Sequence, residues 1–131
     1  MFVNRERELA DLERLWRSGV AELFVLYGRR RVGKTELLLR FCQDKRSIYF
    51  VAGQLKEKDH LRQLTEVARH VIDDPLLQSI TFDDWEAALV YFAQKAASER
   101  LVLVLDEFQY LCEDNPALPS LLQIPQRSTN T

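Results

Sequence analysis

The sequence predicts an α/β fold, in which a parallel β-sheet is the middle of three layers and helices form the outer two. Three short runs are apolar throughout, at residues 23–27 (LFVLY), 48–52 (IYFVA) and 101–105 (LVLVL). Runs of this length without alternation are typical of strands that are buried on both faces, as in a parallel sheet. Amphipathic segments separate the three runs, so each connection between strands contains at least one predicted helix.

The first predicted element is an amphipathic helix that precedes the first strand. Its apolar residues recur at helical spacing and are Leu9, Leu12, Leu15 and Trp16. Asn4 is a candidate N-cap, and Gly19 follows the last turn. This helix is expected to place its apolar side against the sheet.

A second helix, predicted over residues 35–42, connects the first strand to the second. Its apolar side consists of Leu37, Leu38 and Phe41. The order is therefore strand, glycine-bearing loop, helix and strand, which predicts a βαβ unit with a right-handed crossover.

Two more helices are predicted between the second and third strands. The apolar stripe of the first is Leu61, Leu64, Ala68, Val71 and Ile72, and it ends before Pro75. The second has Thr81 as a candidate cap, and its stripe is Trp85, Ala88, Leu89, Phe92 and Ala96. After the third strand the prolines and a polar ending favour a division into a domain over residues 1–122 and an irregular polar tail over residues 123–131.

Composition and charge exclude several classes of partner. The chain has 131 residues, 47% of them hydrophobic, which suits one globular domain. The 18 lysines and arginines nearly balance the 20 aspartates and glutamates, so the overall charge does not indicate nucleic acid or an anionic membrane. No run approaches the roughly 18 apolar residues of a membrane span, and the charged N-terminus is unlike a signal peptide. With only two, widely spaced cysteines, we expect a soluble, cytoplasmic protein.

The loop after the first strand matches a phosphate-binding pattern. It fits G-x-x-x-x-G-K-[ST], and the required context of a buried strand before it and a helix after it is present. The eight residues are Gly28, Arg29, Arg30, Arg31, Val32, Gly33, Lys34 and Thr35. Glycines allow the backbone to wrap closely around phosphate oxygens, and the helix adds the positive end of its dipole.

Four side chains have separate expected roles at this site. Lys34 would reach the β- and γ-phosphates, and the Thr35 hydroxyl would bind Mg²⁺. Asp106 follows the third strand directly and would hold the magnesium shell. Glu107 would then activate a water for attack on the γ-phosphate, as the general base.

Other interpretations of the same residues are available. Residues 28–35 could form a surface turn with chance glycines, and the Asp-Glu pair could be an ordinary polar end of a strand. The three successive arginines could face phosphates, DNA or an acidic partner, or simply form a solvated side of the loop. The agreement of strand, loop, helix and acidic strand end favours the phosphate site.

Three stretches resemble one known family, the archaeal-type AAA-like ATPases of the signal-transduction (STAND) class. FVNRERELADLERL looks like the family's opening motif, YGRRRVGKTELL resembles its phosphate loop, and LVLDEFQYL is similar to its magnesium and base strand, the Walker B strand. The resemblance implies a P-loop NTPase fold of the additional-strand class that binds ATP and Mg²⁺. It also implies that Val3, Asn4 and Arg5 lie against the adenine or ribose.

The family's sheet order is 5-1-4-3-2, so a sensor strand normally separates the loop strand from the Asp-Glu strand. We expect this chain to be truncated after the Walker B strand and to lack that sensor strand. The two strands would then either pair directly or leave exposed edges for another chain to cover, for example in a homo-oligomer. The expected function is ATP binding with weak hydrolysis, and the alternative is a non-hydrolysing interaction module or a remnant of a larger ATPase.

Overall fold

The computed structural model describes residues 5–19, 22–29, 33–122 and 127–130. Its helices are α1 (Arg5–Arg17), α2 (Lys34–Cys42), α3 (Glu57–Arg69), α4 (Trp85–Ser98), α5 (Phe108–Asp114) and α6 (Leu118–Leu121). Its strands are β1 (Leu23–Gly28), β2 (Ser47–Val51), β3 (Leu101–Asp106) and β4 (Arg127–Asn130), and a short 3₁₀ helix covers Pro75–Gln78. In the described part of the chain, no helix combines the length and the apolar character needed to cross a membrane.

The four strands form one parallel sheet in the order β2-β3-β1-β4. The three predicted strands are confirmed, and the α/β class with them, but burial on both faces is wrong for β2, whose residues alternate between buried and partly exposed because it is an outer strand of the sheet. In the β1–β3 pair, Leu23 lies opposite Leu101 and Gly28 lies opposite Asp106. In the β2–β3 pair, Val51 lies opposite Asp106. The carboxyl ends of three strands therefore meet at Asp106.

Direct pairing of β1 with β3 decides between the two arrangements that the sequence left open. No strand lies between them, and the other side of β1 pairs with β4. Both edges of β1 and both edges of β3 are therefore paired with strands of the same chain, and neither strand leaves an edge for a second copy to cover. Residues 123–131 were expected to be irregular, but Arg127–Asn130 forms a strand. Hydrogen bonds between parallel strands are made by backbone groups, and a pattern of side chains does not reveal them.

The core has two halves, one on each face of the sheet. One half contains α3, α4 and α5 and packs against the odd-numbered residues of β1, which are Leu23, Val25 and Tyr27. The other contains α1 and α2 and packs against Phe24 and Leu26. Both central strands, β1 and β3, are buried along their whole length. This is the three-layer architecture that unalternating apolar strands predict.

The connection between α3 and α4 differs in detail from the sequence prediction. Helix α3 ends at Arg69, whose guanidinium donates to the carbonyl oxygens of Leu77 and Ile80 and so fixes the connection. The cap of α4 is Asp84, which accepts a hydrogen bond from the backbone N–H of Ala87 at 2.7 Å. The prediction of Thr81 as this cap is wrong because the carboxylate nearer the helix meets the first free N–H groups.

Helix α1 is fixed to α2 by an aromatic cluster with a buried cation. The rings of Trp16, Phe24 and Phe41 are in mutual contact, with centroids 5.8–6.3 Å apart. The Lys45 ammonium lies 4.1 Å from the Phe41 ring centroid and pairs with Glu13 at 2.8 Å. Trp16 is thus a packing residue, and α1 is held rigidly on the face of the sheet that carries α2.

Phe92 and Val90 provide a test of which residues of α4 stabilise the fold. Phe92 is completely buried, whereas 52% of Val90 is exposed. We expect Phe92→Ala to lower the free energy of unfolding by about 3–5 kcal/mol, because it leaves a cavity in the core. The control Val90→Ala should change that free energy by less than about 0.5 kcal/mol. Urea unfolding of the two variants checks this, and equal losses would contradict the described packing of α4.

Candidate phosphate-binding site

The loop between β1 and α2 is the centre of the predicted site. The structure describes Gly28, Arg29, Gly33, Lys34 and Thr35 of this loop. The other loop residues predicted to contact phosphate, Arg30, Arg31 and Val32, lie outside the described residues. So do Val3 and Asn4 of the predicted adenine or ribose contact, while Arg5 opens α1.

Gly33 turns the chain into the start of α2. Its φ is +80°, in the left-handed region, where a side chain would be strained by about 1–2 kcal/mol. As a glycine it offers no side chain to cap the helix. The first backbone N–H groups of a helix have no partner within that helix, and they carry its positive dipole end. The loop therefore ends in the geometry that an anion requires.

Lys34 is the first residue of α2, and its side chain folds back over the loop. Its Nζ donates a hydrogen bond to the Arg29 carbonyl oxygen at 2.6 Å, and only 7% of the residue is exposed. The side chain therefore reaches from the start of α2 back to the residue that follows β1. A positive charge is held against the backbone that the sequence predicts to surround the phosphates.

Asp106 joins the two halves of the site. Its carboxylate is buried, with 1% of the residue exposed, and Oδ2 lies 3.4 Å from the Thr35 hydroxyl oxygen. Tyr49 donates its hydroxyl to the same oxygen at 2.9 Å, and the backbone N–H of Glu107 donates to Oδ1 at 2.8 Å. Donors to both oxygens stabilise a carboxylate that burial alone would penalise.

Tyr49 is a site residue that sequence reasoning missed. It lies in β2, within the stretch taken as a buried apolar strand. Its register partner in β3 is Val104, which lies on the α2 face of the sheet. Asp106 is two residues further along β3 and therefore lies on the same face. The tyrosine hydroxyl can reach the carboxylate only because β2 is the neighbour of β3. The tyrosine hydroxyl, the one polar side-chain group in residues 48–52, was the available signal, but its partner depends on strand order.

Glu107 has an unusual backbone conformation. Its φ and ψ are +57° and +46°, and it is the one non-glycine residue with positive φ among those described. This region is unfavourable for a residue with a β-carbon, and such outliers are concentrated at functional sites. Gln109 donates its amide Nε2 to Oε1 of Glu107 at 2.8 Å. The end of β3 thus holds two adjacent carboxylates in different surroundings.

The oxygen donors at this site fit magnesium. The described residues contain no group of three or more His, Cys, Asp and Glu side chains that could hold a metal ion by themselves. The Thr35 hydroxyl and the Asp106 carboxylate are hard oxygen ligands close to each other. Mg²⁺ prefers such oxygens and takes its other positions from water and substrate phosphates.

A loop with this sequence, between the first strand and its helix and beside an acidic end of the adjacent parallel strand, defines the P-loop NTPase fold. The chain belongs to the family of ATPase domains found predominantly in Archaea, whose family model matches residues 2–129.

Two curated relatives come from the archaeon Methanocaldococcus jannaschii. One is an uncharacterized protein, 36% identical over 123 residues, which are 94% of this chain and 25% of that protein. The other is an uncharacterized ATP-binding protein, 56% identical over 46 residues, which are 35% of this chain and 78% of that protein. The chain therefore spans about a quarter of the length of the first relative. No solved structure gives a significant match.

The bond between Tyr49 and Asp106 can be tested without a ligand. A hydrogen bond to a charged group contributes about 1.5–3 kcal/mol, so Tyr49→Phe and Asp106→Asn should be coupled in a double-mutant cycle of unfolding free energies. We expect a coupling of about 1 kcal/mol or more. Tyr91→Phe is the matched control, since the Tyr91 hydroxyl donates to Asp74 instead, at 2.6 Å. If Tyr49→Phe and Asp106→Asn were additive, the described bond would be wrong.

Proposed function

We propose that this chain binds ATP together with Mg²⁺ at the carboxyl end of its sheet. The observation that carries the proposal is the approach of Thr35 Oγ1 to Asp106 Oδ2 at 3.4 Å, which joins the phosphate loop to the acidic strand end. The family membership and the ATP-binding description of a relative support it.

The loop of residues 28–35 would hold the phosphates through its backbone N–H groups. Lys34 would contact the β- and γ-phosphates, for which it must exchange its bond to the Arg29 carbonyl oxygen for one to a charged oxygen. Such an exchange is favourable because an ionised acceptor makes the stronger hydrogen bond. The segment of Val3, Asn4 and Arg5 would lie against the adenine or ribose.

Thr35 and Asp106 would hold Mg²⁺, Thr35 as a direct ligand and Asp106 through the surrounding shell. The ion, when bound, offsets negative charge on the β- and γ-phosphates during transfer. Asp106 would keep its orientation through the donors already described, so binding requires little rearrangement of the carboxylate.

We also propose that Glu107 is the general base of slow ATP hydrolysis. The oxygen of a water attacks the γ-phosphorus, and Glu107 accepts the proton that this water loses. The bond from the γ-phosphorus to its bridging oxygen breaks, and ADP leaves with the electron pair. Lys34 offsets the charge that develops. Hydrolysis by this chain alone would be slow, since an added arginine finger is worth about 10³–10⁵ in rate.

Within its family, we infer that the chain belongs to the AAA-like, signal-transduction branch. The resemblance of three stretches of the sequence to this branch supports the inference. From Arg5 onward the first of them lies in α1, the second runs from the end of β1 into α2, and the third runs from β3 into α5.

Lys34→Ala tests nucleotide binding. We expect calorimetric titration with Mg²⁺ and ATP to show saturable binding by the parent. The variant should bind roughly 10- to 150-fold more weakly, because it loses a contact of about 1.5–3 kcal/mol to a charged oxygen. Lys58→Ala, at an exposed lysine of α3, is the matched control and should bind as the parent does. Equal affinity of Lys34→Ala and the parent would place the phosphates elsewhere.

Glu107→Gln tests hydrolysis. It keeps the size of the side chain but removes the base, so ATP affinity should persist while phosphate release falls by about 10²–10⁴-fold. Glu113→Gln, at an exposed position of the adjacent helix α5, should leave the rate unchanged. A Glu107→Gln rate equal to that of the parent would mean that another group is the base.

A further inference from the structure

Gln109 lies in the first turn of α5, two residues after Glu107. Its Nε2 donates a hydrogen bond to Oε1 of Glu107 at 2.8 Å. A carboxylate only accepts hydrogen bonds, so the amide must present its nitrogen, and not its oxygen, to Glu107. The contact therefore fixes the orientation of the whole amide group.

This orientation leaves the amide oxygen of Gln109 without a partner. Oε1 is buried and accepts no hydrogen bond from any described residue. A buried acceptor without a partner destabilises the fold by at least as much as an ordinary hydrogen bond stabilises it. The folded state thus gains little from this glutamine. A buried oxygen without a protein partner commonly accepts a hydrogen bond from an ordered water.

A capping role for Gln109 does not explain the contact. Helix α5 has no side-chain hydrogen bond at its N-cap, and the Gln109 amide bonds to the Glu107 carboxylate. The left-handed backbone at residue 107 also fixes the direction in which the Glu107 side chain leaves the main chain. Two independent constraints therefore hold one carboxylate in one position, which is the requirement for a group that must meet a reacting water.

We propose that Gln109 is a positioning residue for Glu107, and that its orphaned oxygen binds the water that Glu107 deprotonates. The inference deepens the proposed hydrolysis and rests on it. Nε2 and Oε1 of the amide share one carbon atom, so a water on Oε1 lies beside the carboxylate that Nε2 holds. One proton of this water passes to Glu107, and the other is donated to Gln109 Oε1 while the water oxygen attacks the γ-phosphorus.

Gln109→Met tests this role, because it keeps the length and helix propensity of the side chain but makes neither hydrogen bond. ATP affinity, melting temperature and the rate of phosphate release under single-turnover conditions would be measured in the parent and in the Glu107→Gln background. We expect the rate to fall by about 10- to 100-fold in the parent background. ATP affinity should stay within about twofold, because the amide does not contact the phosphates.

The Glu107→Gln background separates positioning from a structural effect. A residue that acts through Glu107 should have almost no further effect, less than about twofold, once that base is gone. A structural role would slow both backgrounds equally and would lower the melting temperature and ATP affinity together. Gln63→Met, at an exposed amide of α3, is the matched control and should change nothing.

Gln109→Glu is a second test variant, because it keeps the shape of the side chain but replaces the hydrogen-bond donor by an acceptor. Its rate of phosphate release should be no higher than that of Gln109→Met. Equal rates for the parent and Gln109→Met, or equal losses in both backgrounds, would overturn the positioning role alone. If the parent binds ATP but releases no phosphate, the proposed hydrolysis fails, and the role of Gln109 fails with it.

Discussion

The parallel pairing of β1 directly with β3 is the constraint on which the site depends. It places Gly28, the end of the loop strand, opposite Asp106, the end of the acidic strand. Helix α2 begins a few residues later, so the hydroxyl of Thr35 comes within reach of the Asp106 carboxylate. Since the strands are buried on both faces, a slip of one residue would turn Asp106 into the opposite half of the core. The register of this strand pair therefore sets the geometry of the site.

Asp106 shows how this chain keeps a charge in its interior. Burial of an unpaired carboxylate is strongly unfavourable, and here three separate parts of the chain supply donors. Tyr49 comes from β2, Thr35 comes from α2, and the backbone N–H comes from Glu107 itself. Because Tyr49 is held by β2 and Thr35 by α2, the carboxylate orientation depends on how both elements pack beside β3. A carboxylate supported in this way would need little reorganisation in the binding role that we propose for it.

The sequence predicted what depends on local pattern. Three strands, the helices between them and the convergence of Thr35 with Asp106 follow from short apolar runs and from a motif whose spacing has a physical cause. Contacts that depend on strand order could not be predicted, and the hydroxyl of Tyr49 is the clearest case. Strand β4 was missed for a related reason, because polar residues can pair through their backbone alone. The contact of Gln109 with Glu107 lies at a left-handed turn at residue 107, which a non-glycine sequence does not signal.

The left-handed backbone of Glu107 sets the stability of the turn against the presence of a carboxylate at this position. A glycine at position 107 would adopt φ of +57° without steric strain, and it would stabilise the strand-to-helix turn. It would also delete the carboxylate that we propose as the base. Stabilising substitutions commonly trade against activity where a functional side chain sits on strained backbone. Selection for thermal stability alone would therefore favour glycine at this position, and a lineage with glycine at position 107 would keep the fold but lose the hydrolysis that we propose.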